Sequence, residues 1–239
     1  MNKKRDIKFD QLFFFFFKAK LEDVENCRID DIDGYIRICS KKAYLDMCRT
    51  LRFKKKEGKN VEKDELIKKI EDNIVNNVVG YLYGTVSYSS IPDDLNMIVG
   101  DNNFDKWHYC LSYQMVEECK NSDIFMENKS FTYGHAQKWI NMTLKYMYII
   151  GLLPEKMLND IHVPIDSYII DAINAPEKNI HTSFDVEGLG IKTNIGAWSG
   201  ITDYGEYIDV QVKVRNKLKE KSALPIMWES LAWMAEAVK

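Results

Sequence analysis

Lys138 and Asp166 are the two side chains in this sequence whose settings could turn them to chemistry. Lys138 closes the stretch Phe131-Thr-Tyr-Gly-His-Ala-Gln-Lys138 and stands in the first turn of a long apolar segment. Asp166 ends Val163-Pro-Ile-Asp166, at the mouth of a second one. An amine attacks carbon only when unprotonated, and a free lysine is almost entirely protonated at neutral pH. The positive end of a helix dipole disfavours an ammonium, and apolar surroundings act in the same direction. A lysine so placed can form a Schiff base with a sugar carbon. An ionised aspartate facing the same cleft can steady the positive charge that develops as a glycosidic bond breaks. Each residue also has a plainer role. Lys138 can snorkel from the start of its helix, and Asp166 can cap the helix that follows it. Spacing alone leaves both open.

Helices must position this pair. The spacing predicts one from about Ser40, as N-cap, to Phe53, and a second over Val61–Tyr83 with Leu66, Ile67, Ile70, Ile74, Val75, Val78 and Val79 on one face. Residues 84–103 read as a long loop, and Phe104–Lys120 as a third helix. Gly134–Gly151 is the fourth, apolar nearly all round, which places it in the middle of a domain. Its polar positions Lys138, Asn141, Lys145 and Tyr148 read as one narrow stripe, so Lys145 is the rival amine. Pro164 opens a fifth helix to about Asn174. A Gly- and Asn-containing loop over 175–200, with Trp198, precedes two closing helices, 202–219 and 225–238. Residues 1–39 read as an N-terminal segment, irregular or in short strands, that includes the run Phe13–Phe17 and Gly34–Cys39. Residues 40–239 read as one helical domain. Lys54-Lys-Lys-Glu-Gly-Lys-Asn60 reads first as a solvated connector and second as a phosphate contact.

Composition narrows the classes. At 239 residues the chain can bury an ample core. A hydrophobic fraction of 46% with 29% charged residues fits a globular protein. The net charge of -3 gives no global attraction to nucleic acid, so any such site must be a local basic patch. Five cysteines, an odd number without a C-x-x-C pair, suit free thiols in a reducing cytoplasm. The four histidines are scattered without ligand spacing, so no metal is expected. The Leu12–Phe17 run is far shorter than the roughly 20 apolar residues of a membrane span, so no membrane partner is expected either.

Gly134-x-Ala-Gln-Lys138 followed by Val163-Pro-Ile-Asp166 resembles the helix-hairpin-helix DNA glycosylases, and is most similar to the archaeal 8-oxoguanine glycosylase branch. In that superfamily a hairpin glycine precedes a catalytic lysine, and a V-P-V-D element carries the catalytic aspartate. A third element, Leu224-Pro-Ile-Met-Trp-Glu229-Ser-Leu-Ala-Trp233, is similar to the branch's base-contacting segment. The resemblance covers roughly residues 104–239. It departs at the hairpin, where the second glycine is Ala136, and at Glu229, where the branch has Asp. It implies an all-α, two-lobed helix-hairpin-helix fold behind the N-terminal segment. It implies a monomeric DNA glycosylase with a lyase step, acting without cofactor on double-stranded DNA that carries a damaged or modified, 8-oxoguanine-like base. Lys138 and Asp166 would be catalytic, Glu229 and Trp233 would hold the extruded base, and Gly134, His135 and Gln137 would contact DNA. The competing class is a catalytically silent nucleic-acid-binding or host-defence interaction protein with the same fold. The net acidic charge and the altered hairpin favour that class.

Overall fold

A computed structural model describes residues 12, 16–18, 32–55, 60–86, 91–127 and 129–239. The described chain is mostly helical. Its elements run α1 (Ile32–Met47), α2 (Val61–Tyr83), α3 (Asp93–Val99), α4 (Asn103–Lys120), α5 (Tyr133–Ile149), α6 (Ser167–Asn174), the strands β1 (Asn179–His181) and β2 (Val186–Glu187), α7 (Tyr204–Glu220) and α8 (Pro225–Ala237). The strands pair antiparallel, Asn179 opposite Glu187 and His181 opposite Val186. Among the described residues no helix is long and apolar enough to cross a membrane.

α5 lies between two hydrophobic cores, its apolar residues in one and its buried Gln137 and Asn141 bonded to Ile165 and Tyr207 of the other. Ala136, Trp139, Ile140, Leu144 and Met147 join α1, α2 and α4 in one core. The second core gathers α6, α7, α8 and the small sheet around Val163, Ile165, Tyr207 and Trp228. The largest packing interface in the fold is that of α1 on α5, with α8 on α6 the main one in the second core. Trp139 Nε1 donates to both the carbonyl and the hydroxyl of Ser40, each at 3.0 Å, which locks α1 to α5.

Several sequence expectations are corrected by these contacts. Ser40 lies inside α1 instead of capping it, so Gly34–Cys39 is helix and not strand. Among the described residues the helix thus already runs from Ile32 and not from residue 40. The apolar positions Ile36, Cys39, Ala43 and Met47 carry the burial through that helix. The loop expected over 84–103 contains α3, whose Leu95 and Val99 pack on the second core. The fifth helix starts at Ser167; Pro164 sits before it in buried extended chain. Of the phenylalanine run, Phe13, Phe14 and Phe15 lie outside the described residues. Phe17 is buried edge-on against Tyr146, and its N–H donates to Leu12 O in a wide helical turn instead of a strand.

Candidate functional site

The single polar stripe read along α5 resolves into two faces. Gln137 and Asn141 point into the protein. Lys138, Met142, Lys145 and Ile149, at successive helical spacing, line a cleft of about 630 Å³ whose other walls include Asp46, Arg49, Asp166, Tyr168, Trp198, Glu229 and Trp233. That volume lies within the usual range for a small-ligand site.

The chain reaches Asp166 through an extended stretch whose backbone is held by side-chain amides. Gln137 Oε1 accepts from Ile165 N (3.2 Å) and its Nε2 donates to Ile165 O (3.0 Å) and Gly134 O (3.1 Å). On the other side Gln211 Oε1 accepts from Val163 N (3.0 Å) and its Nε2 donates to Val163 O (2.8 Å). Pro164 between them has no N–H to satisfy. Buried backbone that belongs to no helix or sheet is costly unless bonded, and two glutamines do here what a neighbouring strand would otherwise do. Gln137 is fully buried, so its expected DNA contact does not fit; it aligns Asp166 from within.

Asp166 divides its carboxylate between two tasks. Oδ1 accepts from Ile169 N at 3.1 Å and caps α6. Oδ2 accepts from Lys138 Nζ at 2.8 Å and from Trp233 Nε1 at 3.1 Å. The Lys138 side chain is 7% exposed and that of Asp166 15%, so this ion pair forms largely out of water. Trp233, 37% exposed, presents its ring to the cleft edge-on to Tyr168, with centroids 5.4 Å apart.

Glu229 lies deeper, at 1% exposure. Lys145 Nζ stands 2.9 Å from its Oε1 and 2.6 Å from its Oε2. Burial raises the Glu229 pKa above the ordinary glutamate value, and the Lys145 ammonium opposes that rise. Both carboxylate oxygens are held by Lys145 at rest. A ligand group that reaches Glu229 must therefore share or displace that lysine. The structure thus brings Lys138, Asp166, Glu229 and Trp233 to one cleft, although 63 residues separate Asp166 from Glu229 in the chain.

The start of α5 is different. Gly134 N–H donates to Ile201 O at 3.0 Å, and a Cβ there would lie 1.9 Å from Trp198 O, so only glycine permits this close approach. His135 is buried in a capping box: Thr132 N donates to its Nδ1 (3.1 Å), and its Nε2 faces Thr50 Oγ1 at 3.1 Å. Burial lowers the His135 pKa to about 4, so the ring is neutral at pH 7. Gly134, His135 and Gln137 are consequently occupied by the protein itself. Expected from the sequence to contact DNA, in this structure they serve packing, capping and alignment.

Behind the cleft a buried polar chain ties four elements together. Asp105 accepts from Arg215 Nη1 (2.8 Å) and Nη2 (2.6 Å) and from His162 Nε2 (2.8 Å). His162 Nδ1 then accepts from the Tyr207 hydroxyl (2.8 Å), which in turn accepts from Asn141 Nδ2 (2.8 Å). Burial raises the Asp105 pKa, but the Arg215 and His162 hydrogen bonds outweigh it and hold the carboxyl at about 2. Burial keeps His108 and His162 neutral. Sequence reasoning missed this chain because its members lie 45 to 110 residues apart. It also missed Asp46, Arg49, Tyr146 and Tyr168 on the cleft wall. Of these only Tyr168, two residues past Asp166, had a local signal. Trp107 is core, whereas Trp198 is half-buried on the cleft wall. The four described cysteines are free, and no cluster of metal-binding side chains occurs among the described residues.

Fold and site together define a mostly helical protein with a lysine–aspartate pair in an aromatic-walled cleft. The chain matches no protein-family model, no curated protein and no solved structure.

Proposed function

We propose that this protein is a DNA glycosylase with an associated lyase step, of helix-hairpin-helix type, acting on a damaged or modified base of the 8-oxoguanine kind. One observation carries the reading: Lys138 Nζ is hydrogen-bonded to Asp166 Oδ2 at 2.8 Å on the wall of a cleft that also offers an aromatic face and a buried carboxylate. A nucleophilic amine, a carboxylate beside it, and a stacking and reading surface within the same cleft are what excision of an extruded base requires. The proton on Lys138 Nζ would leave for Asp166 or water. The freed lone pair would bond to C1′ as the C1′–N bond breaks, its electron pair and a proton going with the base. The sugar ring then opens to a Schiff base on Lys138. Loss of a C2′ proton breaks the C3′–O bond and completes the lyase step. Asp166 steadies the positive charge at C1′ throughout, and Trp233 with Glu229 holds the base.

The test is borohydride trapping on duplexes bearing an abasic site or one of a panel of modified bases. The wild-type chain is expected to form a covalent adduct, and Lys138→Gln to form none while keeping its fold. Loss of the adduct in Lys145→Gln with retention in Lys138→Gln would move the nucleophile to Lys145. The sealed hairpin favours a second reading, a catalytically silent nucleic-acid-binding protein, for which the same assay returns salt-sensitive binding and no adduct.

A further inference from the structure

A phosphate is commonly held by free amides at a helix N-terminus, and in α5 the amides of Gly134, His135 and Ala136 are all taken. Gly134 N–H bonds to Ile201 O, His135 N–H to Thr132 O at 3.1 Å, and Ala136 N–H to Thr132 O at 3.0 Å. A strand whose nucleotide enters the cleft must be held by something else. Next to that sealed terminus, fixed to it by the Thr50–His135 contact, runs the segment Arg49-Thr-Leu-Arg-Phe-Lys-Lys55. It contains four cations and no acid in seven residues, in a chain whose net charge is -3.

The charges on this segment are largely uncompensated. Among the described residues only Lys54 is matched, by Asp123. Arg49 donates Nε to the Asp46 backbone carbonyl at 3.3 Å, and Arg52 Nη1 donates to the carbonyls of Arg49 and Leu51 at 2.8 and 3.0 Å. The Asp46 carboxylate is itself engaged by Lys42 and the Tyr146 hydroxyl. Arg49, Arg52 and Lys55 are exposed, and none has an ion-pair partner among the described residues. The segment is also held in place. Lys54 N donates to Ile124 O and Met126 N to Arg52 O, each at 2.9 Å, and Phe53 stacks on Phe125 with centroids 5.3 Å apart. Arg49 stands on the cleft wall itself, as does Lys138.

We propose that Arg49, Arg52 and Lys55 form a phosphodiester-binding rim of the cleft, holding the DNA backbone in place of the hairpin amides. This rests on the glycosylase reading for the identity of the strand as DNA. Fixed guanidinium and ammonium groups suit phosphate oxygens, and contacts to the backbone position a strand without reading its sequence.

The experiment is binding of a fluorescently labelled duplex with a tetrahydrofuran abasic site, followed by anisotropy across a salt series. It compares wild type, the triple variant Arg49→Gln/Arg52→Gln/Lys55→Gln, and a charge-matched control, Lys178→Gln/Lys192→Gln/Lys219→Gln, none of whose positions lines the cleft. All the substituted side chains are exposed, and thermal melts check that each variant folds. Each phosphate contact removed flattens the slope of log K against log salt by about 0.9, so the rim variant is expected to lose about 2.7 from the slope and the control almost nothing. Equal slopes in rim variant and wild type overturn the proposal, as do equal losses in rim and control variants or the absence of wild-type binding at low salt. Trapping is scored on the same wild-type preparation with Lys138→Gln as the blank. Binding through the rim without an adduct leaves the rim standing and removes the catalytic reading. An adduct on Lys138 with no rim effect does the reverse.

Discussion

Replacing Asp166 by Asn and by Ala separates what its two oxygens do. In Asp166→Asn the amide oxygen can still accept from Ile169 N, and Asn caps helices about as well as Asp. The amide nitrogen then stands where Oδ2 was, a donor facing the Lys138 ammonium and the Trp233 indole N–H. A hydrogen bond to a charged group contributes about 1.5–3 kcal/mol and a neutral one about 1 kcal/mol. Trp233 can turn to water, so the loss for Asn is expected at about 2–3 kcal/mol. Asp166→Ala loses the cap as well, about 1 kcal/mol more. In a chain of this size each kcal/mol lowers Tm by roughly 2–4 °C. Denaturant melts should therefore rank wild type, Asn and Ala in that order, with the two variants about 1 kcal/mol apart. Borohydride trapping should instead fall by orders of magnitude in both, since either removes the carboxylate beside the amine. If Asp166→Asn traps within tenfold of wild type, Asp166 is a cap and nothing more. If Asn and Ala melt together, the division of labour between the two oxygens is wrong.

Other substitutions probe the surroundings of the pair. Lys145→Met strands the buried Glu229 carboxylate and should cost about 3–5 kcal/mol near neutral pH; because a raised folded pKa favours the protonated acid, the deficit should shrink as pH falls and grow as it rises, measured by melts from pH 5 to 8. Gly134→Ala forces a Cβ onto Trp198 O and should destabilise by about 1–3 kcal/mol with a change in Trp198 fluorescence; an unshifted melt would contradict the close approach. His135 has a folded pKa lowered to about 4, so its contribution is fully present above the unfolded value near 6.5 and is lost as pH falls toward 4. His135→Gln, which can keep a capping box, should flatten part of the acid slope in that window. His108 and His162, whose pKa values burial also lowers, add slope of the same sign.

How much of this was legible in the sequence depends on the range of the interactions. Apart from α3, the helices from Val61 onward follow from apolar periodicity, and α2 begins and ends at the expected residues, because Asn60 caps it and Gly84 ends it in a left-handed turn at φ 69°. The start of α1 was misread because Ser40 looks like a cap locally, while its hydroxyl is taken by Trp139, 99 residues away. The stripe on α5 was read as one face because residue type alone does not say which polar residue meets a partner. Asn141 finds Tyr207 inside, and Lys138 finds Asp166 at the cleft. At the hairpin the residue types suggested phosphate, but the glycine, histidine and glutamine each met a nearer partner within the protein.

The capping and chemical roles of Asp166 looked like rival readings in sequence because a residue was treated as one group. A carboxylate has two oxygens, and the geometry sends one to the α6 backbone and the other to Lys138. The cap is what makes the second contact definite. With Oδ1 bound to Ile169 N, the carboxylate plane is set relative to α6, and Gln137 and Gln211 fix the backbone just ahead of it. Gln137 is also the residue before Lys138, so the two partners of the ion pair are referred to one amide. A shift of α5 relative to the 163–165 stretch must break the Gln137 bonds before it can part Lys138 from Asp166. Spacing along α5 could not show this, since the fixing bonds join residues 28 apart.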